Sequence, residues 1–284
     1  MDIELEYNNR RRVPEHSEII GKWKSDSEAF RRSWTRSQLG LSYGEREREK
    51  VDIFLPSSAS EDGRDGIEGV AIFVHGGYWQ ALDGSFFSVH ARGLVELGIA
   101  VAVPTYDLCP SVTLTEMCEQ MRRCAAFVFK RFGGKRILAT GHSAGGHTAA
   151  ILLATNWPEW QSDLPENIVG SALPISGVFE LAPLLSTTIS EKLHLTEQEV
   201  AELSPQFFAQ VPSFSDLHIV VGGVESSEFI RQSKEFANHW GGSYDALDAA
   251  NHFTVIEPFT DSSHPLMRKA ADMARVLVSG KDHK

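Results

Sequence analysis

The sequence predicts an α/β domain: a mostly parallel central sheet, helices on both faces, and a small cap over one end. Three observations carry this expectation. From about residue 69 onward the pattern repeats as strand, turn, helix. The strand candidates, such as GVAIFV and IAVAVP, are continuous apolar runs, as strands covered on both sides must be. Gly, Pro, Ser and Asp clusters separate the elements, as turns require.

The elements follow in order. Residues 1–45 are polar, with aromatics set at roughly helical spacing in EIIGKWKSDSEAFRRSWTRSQ, and read as an N-terminal helical arm packed on the body. REREKVDIFLP alternates into a strand, and SSASEDGRDGIEG is a surface turn. GVAIFVHGG is a buried strand, FFSVHARGLVELG a helix ending at Gly98, and IAVAVPTY the next strand. TLTEMCEQMRRCAAFVFKRFGG is a long amphipathic helix, opened by Thr113 or Thr115 and stopped by Gly133 and Gly134. KRILAT is a strand and GGHTAAILLATN a helix. GSALPISGVF and LHIVVGG are strands, SSEFIRQSKEFANHW a helix, SYDALDA a last strand, and HPLMRKAADMARVLVS a closing helix. Residues from about 180 to 212 break the rhythm and read as the cap. The whole chain, 1–284, is expected to be one domain.

Bulk properties exclude several function classes. A formal charge of −11 argues against a non-specific grip on nucleic acid or an anionic membrane. No run of about 20 apolar residues exists to span a membrane, and MDIELEYNNRRR lacks the apolar core of a secretory signal. Cys109, Cys118 and Cys124 are too few and too irregular for a disulfide framework, and no metal-ligand spacing occurs. A cytoplasmic protein without metal or other cofactor is expected. A homodimer is compatible with the sequence, which does not define oligomeric state.

The chemistry concentrates in two turns. In KRILATGHSAGGHTAA, a strand runs through Gly141-His142-Ser143-Ala144-Gly145 into a helix. This is the G-x-S-x-G nucleophile elbow in the context it requires. A serine hydroxyl needs a base, and the base needs an orienting acid. Among eleven histidines, His252 lies in the loop after the last strand, where this chain order puts the base. His75 and His142 sit in turns beside the serine and read as structural; His218 begins a strand at the wrong end; His264, opening the final helix, is the rival. For the acid, Glu225 lies just past the strand LHIVVGG, with Asp248 as the alternative. Asp216, at the other end of that strand, lies roughly 25 Å away, and Glu228 belongs to the following helix. The second turn, His75-Gly76-Gly77-Tyr78-Trp79, can aim main-chain amides at the elbow. The expected oxyanion donors are the N–H groups of Gly77, Tyr78 and Ala144.

With HGGYW at 75–79, GHSAGGH at 141–147 and SSEFIRQSKEF at 226–236, the chain resembles the kynurenine formamidases (arylformamidases). These lie on the hormone-sensitive-lipase-like side of the α/β-hydrolase superfamily, and the resemblance spans residues 50 to 275. It implies a serine amidohydrolase of tryptophan breakdown, whose small-molecule partner is N-formyl-L-kynurenine and whose products are formate and L-kynurenine. That family commonly places aspartate in a segment like G-x-x-D-S-x-E-F, where GGVESSEF here has Glu225. A formyl group allows a tight acyl side. An apolar slot for the aryl side is expected from Tyr78, Trp79 and the cap between Phe179 and Phe208. The same residues would serve a carboxylesterase for small aryl or acyl esters. A hydrolase-fold binding protein without turnover is a further alternative, disfavoured because both serine and histidine remain.

Overall fold

The computed structural model describes residues 2–208 and 216–279. The end of the expected cap, residues 209–212, lies outside the described residues, as do Met1 and residues 280–284. Eight strands form one sheet: β1 (Ser37–Ser42), β2 (Lys50–Phe54), β3 (Gly69–Val74), β4 (Ile99–Thr105), β5 (Ile137–His142), β6 (Val169–Ile175), β7 (Asp216–Gly222) and β8 (Ser243–Leu247). Their spatial order is β1-β2-β4-β3-β5-β6-β7-β8. β1 and β2 are antiparallel additions at one edge; every pairing from β4 to β8 is parallel.

Strand periodicity divides the interior into two cores. Val70, Ile72 and Val74 of β3 face one cluster, with Leu114–Arg131, Ala144–Ala154 and Ser227–Trp240 as its helices. Ala71 and Phe73 face the other, covered by His16–Ser33 and Pro265–Ser279. Because successive side chains point to opposite faces, a strand buried on both must be apolar throughout. The six residues of β3 and of β5 are accordingly all buried. The long helix begins at Thr113, whose hydroxyl accepts from the Glu116 N–H while the Glu116 carboxylate accepts from the Thr113 N–H. This reciprocal cap decides between the two threonines.

Two elements differ from the sequence expectation. The N-terminal arm is helical only to Ser33; Ser37–Ser42 is an edge strand, not the arm's last turn. Its sequence, SQLGLS, has no buried face to advertise it, and its conformation comes from pairing with β2. The segment expected as a helix at 86–98 is mainly a 3-10 helix, Gly84–Ala91, opened by the Asp83 side chain accepting from the Ser85 N–H. Where the cap is expected, Ala182–Ser186, Ser190–Leu193, Glu197–Glu202 and Pro205–Phe207 form short helical turns.

The sheet positions the site. From β3 the chain moves outward to β4, then crosses back past β3 to β5. Winding reverses there, and such a reversal opens a crevice at the carboxyl ends of the flanking strands. The carboxyl ends of β3 and β5 carry the two glycine-rich turns.

Candidate active site

Ser143 follows β5 and precedes the helix Ala144–Ala154 with φ 58° and ψ −117°. A non-glycine residue in this region is strained, by a cost on the order of 1–3 kcal/mol, and the surrounding glycines make it attainable. A Cβ on Gly145 would stand 1.9 Å from the Val74 carbonyl oxygen, and one on Gly141 would stand 2.5 Å from that of Gly145. Neither position tolerates a side chain, because the elbow is wedged between β3 and its own helix.

The structure brings Ser143, His252 and Glu225 together. The Ser143 hydroxyl lies 3.0 Å from His252 Nε2, and His252 Nδ1 lies 2.6 Å from Glu225 Oε2. The arrangement requires the tautomer in which Nδ1–H donates to the carboxylate and Nε2 accepts from the hydroxyl. The second oxygen of Glu225 accepts from the Gly222 N–H at 2.7 Å and from the Ser176 hydroxyl. All three residues are buried. Asp248 is exposed, and Nδ1 of His252 is taken by Glu225. His264 accepts from the Leu266 N–H at the start of the last helix, and His218 pairs with Ser243.

The histidines beside the elbow are structural. His142 donates Nε2–H to the main-chain oxygen of His252. Burial, and then the neighbouring His252, hold its pKa well below the ordinary imidazole range. His75 donates Nδ1–H to the Gly76 carbonyl, stacks on Tyr106 at 4.1 Å, and is pushed down to about 4 by burial. Both rings are therefore neutral near pH 7.

The turn after β3 is contorted. Gly77 has φ 115°, and Tyr78 and Trp79 follow with φ 50° and 56°. A Cβ on Gly77 would meet the Ala81 carbonyl oxygen at 2.4 Å. Among the described residues none accepts from the N–H of Gly77, Tyr78 or Ala144. Three unsatisfied amides at a helix start and a neighbouring turn are what a developing oxyanion needs.

Above this machinery lies a cavity of about 260 Å³, lined by Ser143, His142 and His252 together with Gly76, Gly77 and Tyr78. Its aromatic wall corrects the sequence expectation. Trp79 does not line the cavity: it is fully buried with its ring edge-on to His147 at 5.0 Å. Successive left-handed residues send Tyr78 to the cavity and Trp79 into the core. Of the expected cap, Thr188, Ile189 and Lys192 line the cavity, but its aromatic ends Phe179 and Phe208 do not, nor does Phe207. Phe179 stacks on Phe236 at 4.1 Å, and Phe207 is 62% exposed. The wall is instead Trp23, Phe87 and Phe253 with Tyr78.

Sequence reasoning missed the contribution of the N-terminal arm. Asn8, Asn9 and Arg10 reach the cavity, opposite the expected cap residues Thr188 and Lys192. The arm is tied down by Tyr78, whose hydroxyl donates to the Tyr7 carbonyl at 2.6 Å, and by Glu6, whose carboxylate accepts from Ser227 and the Glu228 N–H. No local pattern announces these contacts. Ser176, with φ 48° after β6, was missed too; a Ser-Gly pair closing a buried strand was its one signal. Among the described residues no cluster of His, Cys, Asp or Glu could hold a metal ion, and no helix is long and apolar enough to cross a membrane.

No family model matches the chain. The chain is 33% identical over 283 residues to a kynurenine formamidase of Danio rerio, covering 94% of this chain and 94% of that protein. A solved structure from Silicibacter, described as a thioesterase candidate, superposes with a TM-score of 0.85 at 32% identity, covering 99% of this chain and 100% of the other. An esterase of the bacterial hormone-sensitive lipase family superposes with a TM-score of 0.65 at 15% identity, over 94% of this chain and 99% of that one, a likeness in fold alone.

Proposed function

This chain belongs to the kynurenine formamidase family, and from that premise we propose that it hydrolyses N-formyl-L-kynurenine to L-kynurenine and formate. The fold is that of the α/β-hydrolases. The observation that carries the reading is the relay at the cavity floor: Ser143 Oγ 3.0 Å from His252 Nε2, and His252 Nδ1 2.6 Å from Glu225.

The chemistry follows from the relay. Ser143 attacks the formyl carbon as His252 takes its proton, and Glu225 stabilises the imidazolium that forms. The charge passing to the formyl oxygen is met by the N–H groups of Gly77, Tyr78 and Ala144. Collapse of the tetrahedral intermediate expels the arylamine, which takes the proton from His252. Water, deprotonated by the same imidazole, then attacks the formyl ester of Ser143 and releases formate. The aryl group rests against Trp23, Phe87 and Phe253. The reading places the enzyme in the cytoplasm, which fits three buried free thiols. Light scattering on the purified protein tests whether it is a homodimer.

A second reading, hydrolysis of small esters or thioesters by the same machinery, is favoured by the 32% identity to the Silicibacter protein. The two separate on kcat/KM for N-formyl-L-kynurenine against p-nitrophenyl acetate and an acetyl thioester. A formamide preference supports the first reading; ester or thioester turnover ahead by orders of magnitude overturns it.

A further inference from the structure

The cavity holding Ser143 is lined by two cations, Arg10 and Lys192, and by no carboxylate. Acids outnumber Lys and Arg by 38 to 27 in the chain, so a lining of this sign departs from the composition around it. Among the described residues neither Arg10 nor Lys192 has an ion-pair partner, whereas other basic residues do, as Arg31 with Asp52 and Arg231 with Glu180 and Glu228.

Arg10 and Lys192 come from distant parts of the chain, the turns Asn9–Arg12 and Ser190–Leu193. One acid joins the two segments. Glu4 accepts from the Thr188 N–H at 2.8 Å, from the Thr188 hydroxyl at 2.9 Å and from the Asn8 amide at 2.9 Å. With its oxygens engaged, and outside the cavity lining, Glu4 positions the cations without pairing with them. Asn8 and Asn9 line the cavity beside Arg10, and Thr188 and Ile189 line it near Lys192, so each cation sits in a stretch of chain that borders the same space.

We infer that Arg10 and Lys192 form a carboxylate subsite that selects substrates carrying an anionic group on the leaving arylamine side. The inference rests on the hydrolase reading above. It adds that recognition is of the carboxylate and not of the whole amino-acid end, because no acid lines the cavity to meet an ammonium group.

Two substrate sets test it. The first is N-formyl-L-kynurenine with its decarboxylated and its deaminated analogues. The second is an ortho-acetoxyphenyl propanoate and its primary amide. In the wild type, kcat/KM should favour the carboxylate-bearing member of each set by roughly tenfold or more, the size of charge-assisted hydrogen bonds, and the deaminated formamide should match N-formyl-L-kynurenine within a few-fold. The preference should shrink as salt is raised. In Arg10→Gln with Lys192→Gln the acid-to-amide ratio should collapse toward one. If that double variant does not fold, each single variant should lower the ratio. A wild-type ratio near one, or a ratio unmoved by the substitutions, overturns the subsite. Turnover of esters but not formamides, with the ratio still collapsing in the variant, removes the formamidase reading and leaves the subsite standing.

Discussion

His142 donates its Nε2–H to the main-chain oxygen of His252 at 2.7 Å, so the residue before Ser143 holds the loop that carries His252. The two rings lie 4.7 Å apart. We expect His142→Ala to lower kcat roughly tenfold to a hundredfold, as small misplacements of catalytic groups do, with less effect on KM. His142→Gln, which keeps a donor, should recover part of the loss. Unchanged steady-state kinetics in the alanine variant would show that the loop needs no such tether.

Glu225 has its carboxylate fully engaged, one oxygen by His252 and the other by Gly222 and Ser176. We expect Glu225→Gln to lower kcat by roughly 10⁴-fold, the effect seen when an orienting acid becomes an amide that favours the wrong tautomer. Ser176→Ala removes one donor and should cost roughly tenfold. Both are read from single-turnover rates, with Ser143→Ala as the baseline. A Glu225→Gln enzyme near wild-type activity would return the acid role to Asp248.

The elbow leaves no room for a methyl group at Gly145. With a Cβ 1.9 Å from the Val74 carbonyl oxygen, Gly145→Ala forces main chain apart, and overpacking of this kind costs about 3 kcal/mol. Urea unfolding measures the loss, and a fluorophosphonate probe should fail to label Ser143 in the folded fraction. Wild-type stability with full labelling would mean that the turn can open.

Acid should destabilise the fold through its buried histidines. Burial pushes His75 and His147 down to about 4 and His90 to about 3, and holds His142 well below the ordinary value of 6.5. Between about pH 6.5 and about pH 4 the unfolded chain therefore binds more protons than the folded one, so stability rises with pH there and is lost on acidification. Each histidine contributes a slope of at most about 1.4 kcal/mol per pH unit. His147→Gln, losing the ring that donates to the Leu203 carbonyl, should flatten the profile. Denaturant midpoints across this range check the slope; a flat profile contradicts neutral burial.

Much of the site was legible because its signals are local. The elbow is a steric pattern within five residues, and Gly141 and Gly145 are required there because β3 and the following helix leave no room for a Cβ. The loop of His252 was placed by chain order and the position of the last strand. Trp79 marks the limit of such reasoning. It adjoins Tyr78 in sequence, yet consecutive left-handed residues turn the two side chains apart, and only backbone angles show which one faces the cavity.

By itself the sequence determined the strand-turn-helix order, the two-sided burial of the central strands, the serine at its elbow, and the histidine and acid loops. Each depends on residue type at short spacing, where steric and hydrogen-bonding rules act directly. Tertiary structure decided the edge strand β1, the aromatic wall from Trp23, Phe87 and Phe253, the Ser176 contact to Glu225, and the lining of one cavity by both Arg10 and Lys192. These contacts join segments far apart in the chain. Their partners are selected by packing and carboxylate ties such as Glu4 to Thr188, which leave no periodic trace in the residues themselves.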